Sequence, residues 1–236
     1  MSLRITPPPK KNLNPQPSTI NHQPSTHLIH RLIAQGEHQQ QDFKYEISDA
    51  RKIARTLSAF ANTDGGRLLI GVKDNGKIAG VRSDEEIYMV EAAASRYCVP
   101  PVECHMSIHR VEGHNVVIAE VEPIEKRPVR AQLDDGKLCA FVRIADENIV
   151  ATPVQMALWR EDNNEEGSLL PFTAREQSLL RMLAEAEEPM TLNRFARLSR
   201  LPRHRAVHLL AQFIRFGLVE QQFAGHTFVY EATQDL

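Results

Sequence analysis

The segment "LSAFANTDGGRLLIGVKDNGKIAGV", residues 57–81, leaves few folds open to this chain. Ile53, Ala54, Leu57, Phe60 and Ala61 recur at the spacing of one helix face, with Arg51, Lys52 and Arg55 opposite. Two adjacent glycines interrupt that pattern, and "RLLIGV" follows as an apolar run of strand length. A helix that reverses directly into a buried strand packs against the sheet that strand joins, which is an α+β arrangement. Ser48 fits the N-cap of this helix, and "DNG" fits a tight hairpin from the strand into "KIAGV".

Glycine clusters also cradle phosphates, but a phosphate loop G-x-x-x-x-G-K-[ST] needs its lysine and hydroxyl. No segment here has them at that spacing. Such loops run from a strand into a helix N-terminus, whereas these glycines leave a helix and enter a strand. Gly65 and Gly66 are therefore expected to supply positive φ where the chain turns. No nucleotide or other cofactor is expected.

The remaining elements divide the chain. Residues 1–24 carry six prolines and almost no large apolar side chain, so they are expected to form a disordered arm. Lys10 and Lys11 in it read as solvated. Order begins at Ser25 or Thr26, which cap a helix through Ala34, and "QQDFKYEI" follows as a strand. After the glycines, "SDEE" at 83–86 reads as a capping box opening a helix to about residue 97. "VECHMSIHRV", "NVVIAEVEPI" and "KLCAFVRIA" are strands, and 153–159 is a short helix that closes a domain over 25–161. Residues 162–170 form an acidic linker. Beyond it, helices over 173–186, 191–198 and 202–216 precede two strands, "LVEQQF" and "TFVYEA". Three helices and a hairpin are the order of a winged helix-turn-helix, here over 171–236.

The 236 residues suffice for two such units. Three scattered cysteines exclude a disulfide framework. No apolar run approaches the roughly 18 residues of a membrane span, and no signal peptide is evident. A cytoplasmic protein without a membrane partner is expected.

Four segments carry a family resemblance: "DFK" at 42–44, "LSAFANTDGGRLLIGVKDNGKIAGV", "RPV" at 127–129 and "FVRIADENIVAT" at 141–152. Together they resemble the Alba-like domain of Schlafen proteins and their bacterial relatives over about residues 30–160. That resemblance implies a mixed α/β Alba-like domain followed by a small winged helix-turn-helix, as in bacterial transcriptional regulators. It also brings a divergent AAA, ATP-binding label that the glycine spacing does not support. Schlafen-type nucleases use three carboxylates; the resemblance maps two onto Glu37 and Asp42, with Asp74 offered as the third. This chain has Asp42-Phe43-Lys44 where the family usually shows Glu-Phe-Lys. A divalent metal held by such acids would activate water, but Asp74 in a DNG turn already has a structural reason to be there.

The formal net charge of −2 says nothing by itself about a nucleic-acid partner, but its distribution does. From 193 to 219 there is no Asp or Glu, while Arg194, Arg197, Arg200, Arg203, Arg205 and Arg215 are all present. On a helical wheel of 202–216, His204, Arg205, His208, Gln212 and Arg215 share one arc of about 100°. The third helix of a helix-turn-helix offers such an arc to the major groove. The expected function is duplex DNA binding through Arg194, Arg200, Arg203, His204, Arg205, His208, Gln212 and Arg215, by a homodimer reading paired half-sites. A metal-dependent nuclease and a protein-interaction adaptor are the alternatives. No residue pattern identifies an effector ligand.

Cys98, Cys104, His105 and His109 lack zinc-ligand spacing. Strand alternation puts Cys104, Met106 and Ile108 on a buried face and leaves His105, Ser107 and His109 exposed. No metal site is expected.

Overall fold

The computed structural model describes residues 21–22, 26–164 and 172–233. Apart from Asn21–His22, the expected arm lies outside these residues, and so do Ser25 and residues 165–170 of the expected linker.

The first domain has two sheets on either side of one helix. Strands β1 (Asn21–His22), β2 (Gln41–Lys44), β3 (Gly66–Ile70), β5 (His105–Val111) and β6 (His114–Val121) form a sheet in the order β1-β5-β6-β3-β2. The outer pairs, β1 with β5 and β2 with β3, are parallel; the inner two pairs are antiparallel. A second sheet is antiparallel throughout, ordered β4 (Cys98–Val99), β7 (Arg130–Gln132), β8 (Leu138–Ile144), β9 (Glu147–Val150). Helix α1 (Thr26–Ala34) covers the outer face of the first sheet, burying Ile29 and Leu32 against Phe43, Leu69 and Ile118.

Helix α2 (Ala50–Asn62) fills the space between the sheets. Its apolar face buries Ile53, Leu57 and Phe60 as the spacing predicts. Three polar residues, Thr56, Ser58 and Asn62, are buried as well, because they bind the second sheet. Ser58 Oγ donates to Val129 O at 2.9 Å, and Asn62 Nδ2 donates to Val129 O and Phe141 O at 2.8 and 2.9 Å. Val129 N returns a bond to Asn62 Oδ1 at 2.8 Å. One side-chain amide thus satisfies the Val129 N–H and the Val129 and Phe141 carbonyls where the helix meets the second sheet.

Several local expectations are corrected. The α2 cap is Asp49, whose side chain accepts from Arg51 N, and not Ser48. Gly65 has φ 71°, but Gly66 does not share it. Gly66 is required by contact instead, since a Cβ there would lie 2.5 Å from the Phe60 ring. "KIAGV" is not a strand: after the DNG turn only Val72 and Ile78 bridge. The backbone then folds onto Gly71, whose carbonyl accepts from Ala79 N and Gly80 N. Ser83 is the N-cap of α3 (Asp84–Ala92), yet its hydroxyl caps nothing. The capping box proper is at Thr173–Glu176. His109 is buried, not exposed, with Nε2 2.9 Å from Ser107 Oγ, because α1 covers that face of the sheet. A π-helical turn, Ala93–Tyr97, continues α3.

After α4 (Pro153–Asp162), helices α5 (Ala174–Ala184), α6 (Leu192–Leu198) and α7 (Arg203–Arg215) share one core. The hairpin β11 (Val219–Ala224) and β12 (Thr227–Ala232) pairs with β10 (Met190–Thr191) in the order β10-β12-β11. This is a winged helix-turn-helix. Gly225 and His226 both take positive φ, 56° and 62°, as a two-residue hairpin turn of the right twist demands. Helix α4 buries Val154 and Ala157 in the same core, so it ties the two domains together.

Candidate nucleic-acid interface

The six residues of α7 that turn inward are Ala206, Val207, Leu209, Leu210, Ala211 and Phe213. That wide apolar arc leaves one polar arc for solvent, as its periodicity predicts. Arg203, His204, Arg205 and His208 are exposed on the first turns. Gln212 is half-buried further along. With His204, Arg205 and His208 it lines an open groove of about 620 Å³, whose other wall includes Arg175 and Glu176 of α5. Glu176 is already held there by the Thr173 amide and hydroxyl, which keep its carboxyl below the usual range.

The remaining arginines differ among themselves. Arg215 is half-buried against α4, where its Nη1 donates to Glu161 O at 2.7 Å and its Nε lies 3.8 Å from Asp162. It belongs to the α4–α7 contact rather than to the open arc. Arg203 Nε approaches Asn193 Oδ1 at 3.4 Å, which turns it toward α6. Arg194 and Arg200 are exposed beside it, Arg194 at 4.0 Å from Glu188. Arg200 holds φ 52° in the turn between α6 and α7, a conformation glycine adopts more easily.

The two carboxylates of the alternative site do come together. Burial and a hydrogen bond with Asp42 raise the Glu37 carboxyl above its ordinary value, and its Oε1 accepts from Phe43 N at 2.8 Å. Asp42, however, is engaged by cations of the chain itself. Lys44 Nζ is 2.8 Å from its Oδ2, and Arg143 Nη2 is 3.4 Å from its Oδ1. Asp74 stands exposed on the DNG turn. Among the described residues, no group of three His, Cys, Asp or Glu is placed to hold a metal ion.

Arg143 was not legible as a site residue. It is 2% exposed, and its guanidinium also donates to Gln41 O and Asn148 Oδ1. The available signal was its place in the same alternation phase as Cys139 and Phe141 of β8. Four other basic residues of the first domain are likewise engaged within it. Arg51 stacks on Tyr97, Arg55 faces Asp134 at 3.6 Å, and Lys73 and Arg82 both lie over Tyr45.

The family model "Schlafen, AlbA_2" matches residues 37–152, and "IclR helix-turn-helix domain" matches 175–222. The chain thus carries a Schlafen AlbA_2 domain followed by an IclR-type helix-turn-helix domain. No curated protein matches it significantly. Two solved structures are similar to it at low identity. The DIP2311 protein from Corynebacterium diphtheriae is 17% identical with a TM-score of 0.42; the match covers 81% of this chain and 34% of that one. The N-terminal domain of a RecG-related protein from Nitrosomonas europaea is 15% identical with a TM-score of 0.37, covering 63% and 97%. This chain thus spans about a third of the DIP2311 protein. The AlbA_2 domain holds Glu37, Asp42 and Arg143, and the helix-turn-helix holds the exposed arc of α7. No helix among the described residues is long and apolar enough to cross a membrane.

Proposed function

We propose that this protein binds duplex DNA through α7 and regulates transcription, acting as a homodimer on paired half-sites. The observation that carries this reading is the first two turns of α7, where Arg203, His204, Arg205 and His208 stand exposed in a run free of acidic residues. Cationic side chains at the N-terminal end of the third helix are placed to meet a major groove. Arg205 on the polar arc is assigned a base edge, with His204, His208 and Gln212 beside it. Arg194 and Arg200, outside the helix, and Arg203, at its first position, are assigned phosphates, which position without reading sequence. Arg215 is assigned no base, because α4 already engages it.

Cleavage by Glu37, Asp42 and Asp74 has no comparable observation in its favour, since Asp42 is engaged by Lys44 and Arg143 and Asp74 stands on an exposed turn. Selection of bound sequences from random duplex DNA, with and without Mg²⁺ or Mn²⁺, separates the readings. A consensus with intact DNA supports the regulator. Metal-dependent cleavage that Glu37→Gln abolishes supports the nuclease.

A further inference from the structure

The wing of the helix-turn-helix does not stand free. Phe228 packs against Ala140, Val142 and Trp159, so β11 and β12 are seated on the AlbA_2 domain and α4. At that seam lies a cavity of about 390 Å³, open to solvent and of a size suited to a small molecule. Arg127 and Val142 line it from the AlbA_2 domain, Trp159 from α4, and Gln221, Phe223 and Phe228 from the wing.

Two arginines line this cavity: Arg143 is paired with Asp42, whereas Arg127 has capacity to spare. It is half-buried, and its Nη2 donates to Thr63 O at 3.2 Å. Its Nε is shut off from solvent and donates to nothing among the described residues, and none of their carboxylates forms an ion pair with it. Asp64 also lines the space, but it is exposed and its carboxylate accepts from Gln39 Nε2 at 3.1 Å. Gln221 donates through Nε2 to Gln155 Oε1 at 3.2 Å, while its own Oε1 is buried and accepts nothing among the described residues. Phe223 and Phe228 meet edge to face at 5.1 Å and give the lining its aromatic character.

A cation that no carboxylate pairs favours an anion in the space beside it, and the planar fork of a guanidinium matches the two oxygens of a carboxylate. Aromatic walls favour a flat apolar body. We infer that this cavity binds a small planar organic carboxylate. Its carboxylate meets Arg127 and its ring lies against Phe223 and Phe228. A ring hydroxyl or amide, in ligands that carry one, donates to Gln221 Oε1. Since the wing supplies three of these four side chains, occupancy and wing position are linked. The consequence for DNA rests on the function proposed above; binding of the ligand does not.

Trp159 is the single tryptophan of the chain and is 3% exposed, so its emission reports on this cavity. The full chain would be titrated with sodium benzoate, with benzamide as the neutral isostere and acetate as the carboxylate without a ring. Benzoate is expected to change Trp159 emission saturably and to raise the thermal midpoint, and the two controls to do neither. Arg127→Gln is expected to weaken benzoate by about tenfold or more, as is Phe223→Ala, which keeps the comparison intact should Arg127→Gln fail to fold. No saturable response to millimolar benzoate, an equal response to benzamide, or an unchanged response in both variants overturns the inference. The emission is read without DNA, so failure here and failure of DNA binding are distinguishable.

Discussion

Arg143 and Asp42 form an ion pair closed off from water: Nη2 stands 3.4 Å from Oδ1, with side chains 1% and 6% exposed. Removing one member of such a pair strands the other charge, at a cost of about 3–5 kcal/mol. Asp42→Asn is therefore expected to lower the free energy of urea unfolding by that order. Asp42→Asn combined with Arg143→Met is expected to lose less than the sum of the single changes, because the stranded guanidinium is gone.

The two central glycines should fail for different reasons. Gly66→Ala drives a methyl group into the Phe60 ring, 2.5 Å away, and should cost about 1–3 kcal/mol. In a Phe60→Leu background, part of that penalty should disappear. Gly65→Ala meets the Val121 carbonyl at 2.8 Å with φ at 71°, and no side-chain change relieves it. Thermal melts of the three variants and the double variant measure both effects.

Glu37 gives a pH dependence with a defined sign. Its carboxyl is raised above the ordinary 4.5, first by burial and then by Asp42. The native state therefore holds this proton more tightly than the unfolded chain does. The stability this contributes is present below the ordinary value and lost as pH rises through the raised one. Glu37→Gln keeps an acceptor for Phe43 N and a donor for Asp42. The variant should gain on the wild type as pH rises from about 4.5 toward neutrality, measured as the difference between their urea midpoints.

Cys98 and Cys104 are pushed up to about 12, chiefly by burial. Both should stay protonated at neutral pH and resist iodoacetamide until the protein unfolds. Mass spectrometry of peptides labelled with and without urea checks this.

The helix, glycine and strand order around residue 60 was legible because periodicity switches from 3.6 to a strand-length run within a few residues. The polar arc of α7 was legible for a similar reason, since six inward positions and an acid-free stretch fix it from local sequence. What sequence could not supply was partnership at a distance. Arg215 lies on the correct arc of the wheel, yet α4, over fifty residues earlier, engages it. Arg143 and Asp42 are 101 positions apart, and their pairing follows only from the stacking of two sheets on α2. His109 reads as exposed from alternation alone, because alternation cannot report that α1 covers the second face.

The most direct measurement for the central claim is binding of Arg203→Ala and Arg205→Ala to specific and random duplexes across a salt series. Loss of the phosphate contact at Arg203 should weaken all sequences alike and reduce the salt slope by about 0.9. Loss of Arg205 should relax specificity at a single position, at about 1–3 kcal/mol, with random duplexes little affected. If neither change weakens binding beyond about twofold, a difference well under the 1.4 kcal/mol of a tenfold change, α7 is not the DNA reader.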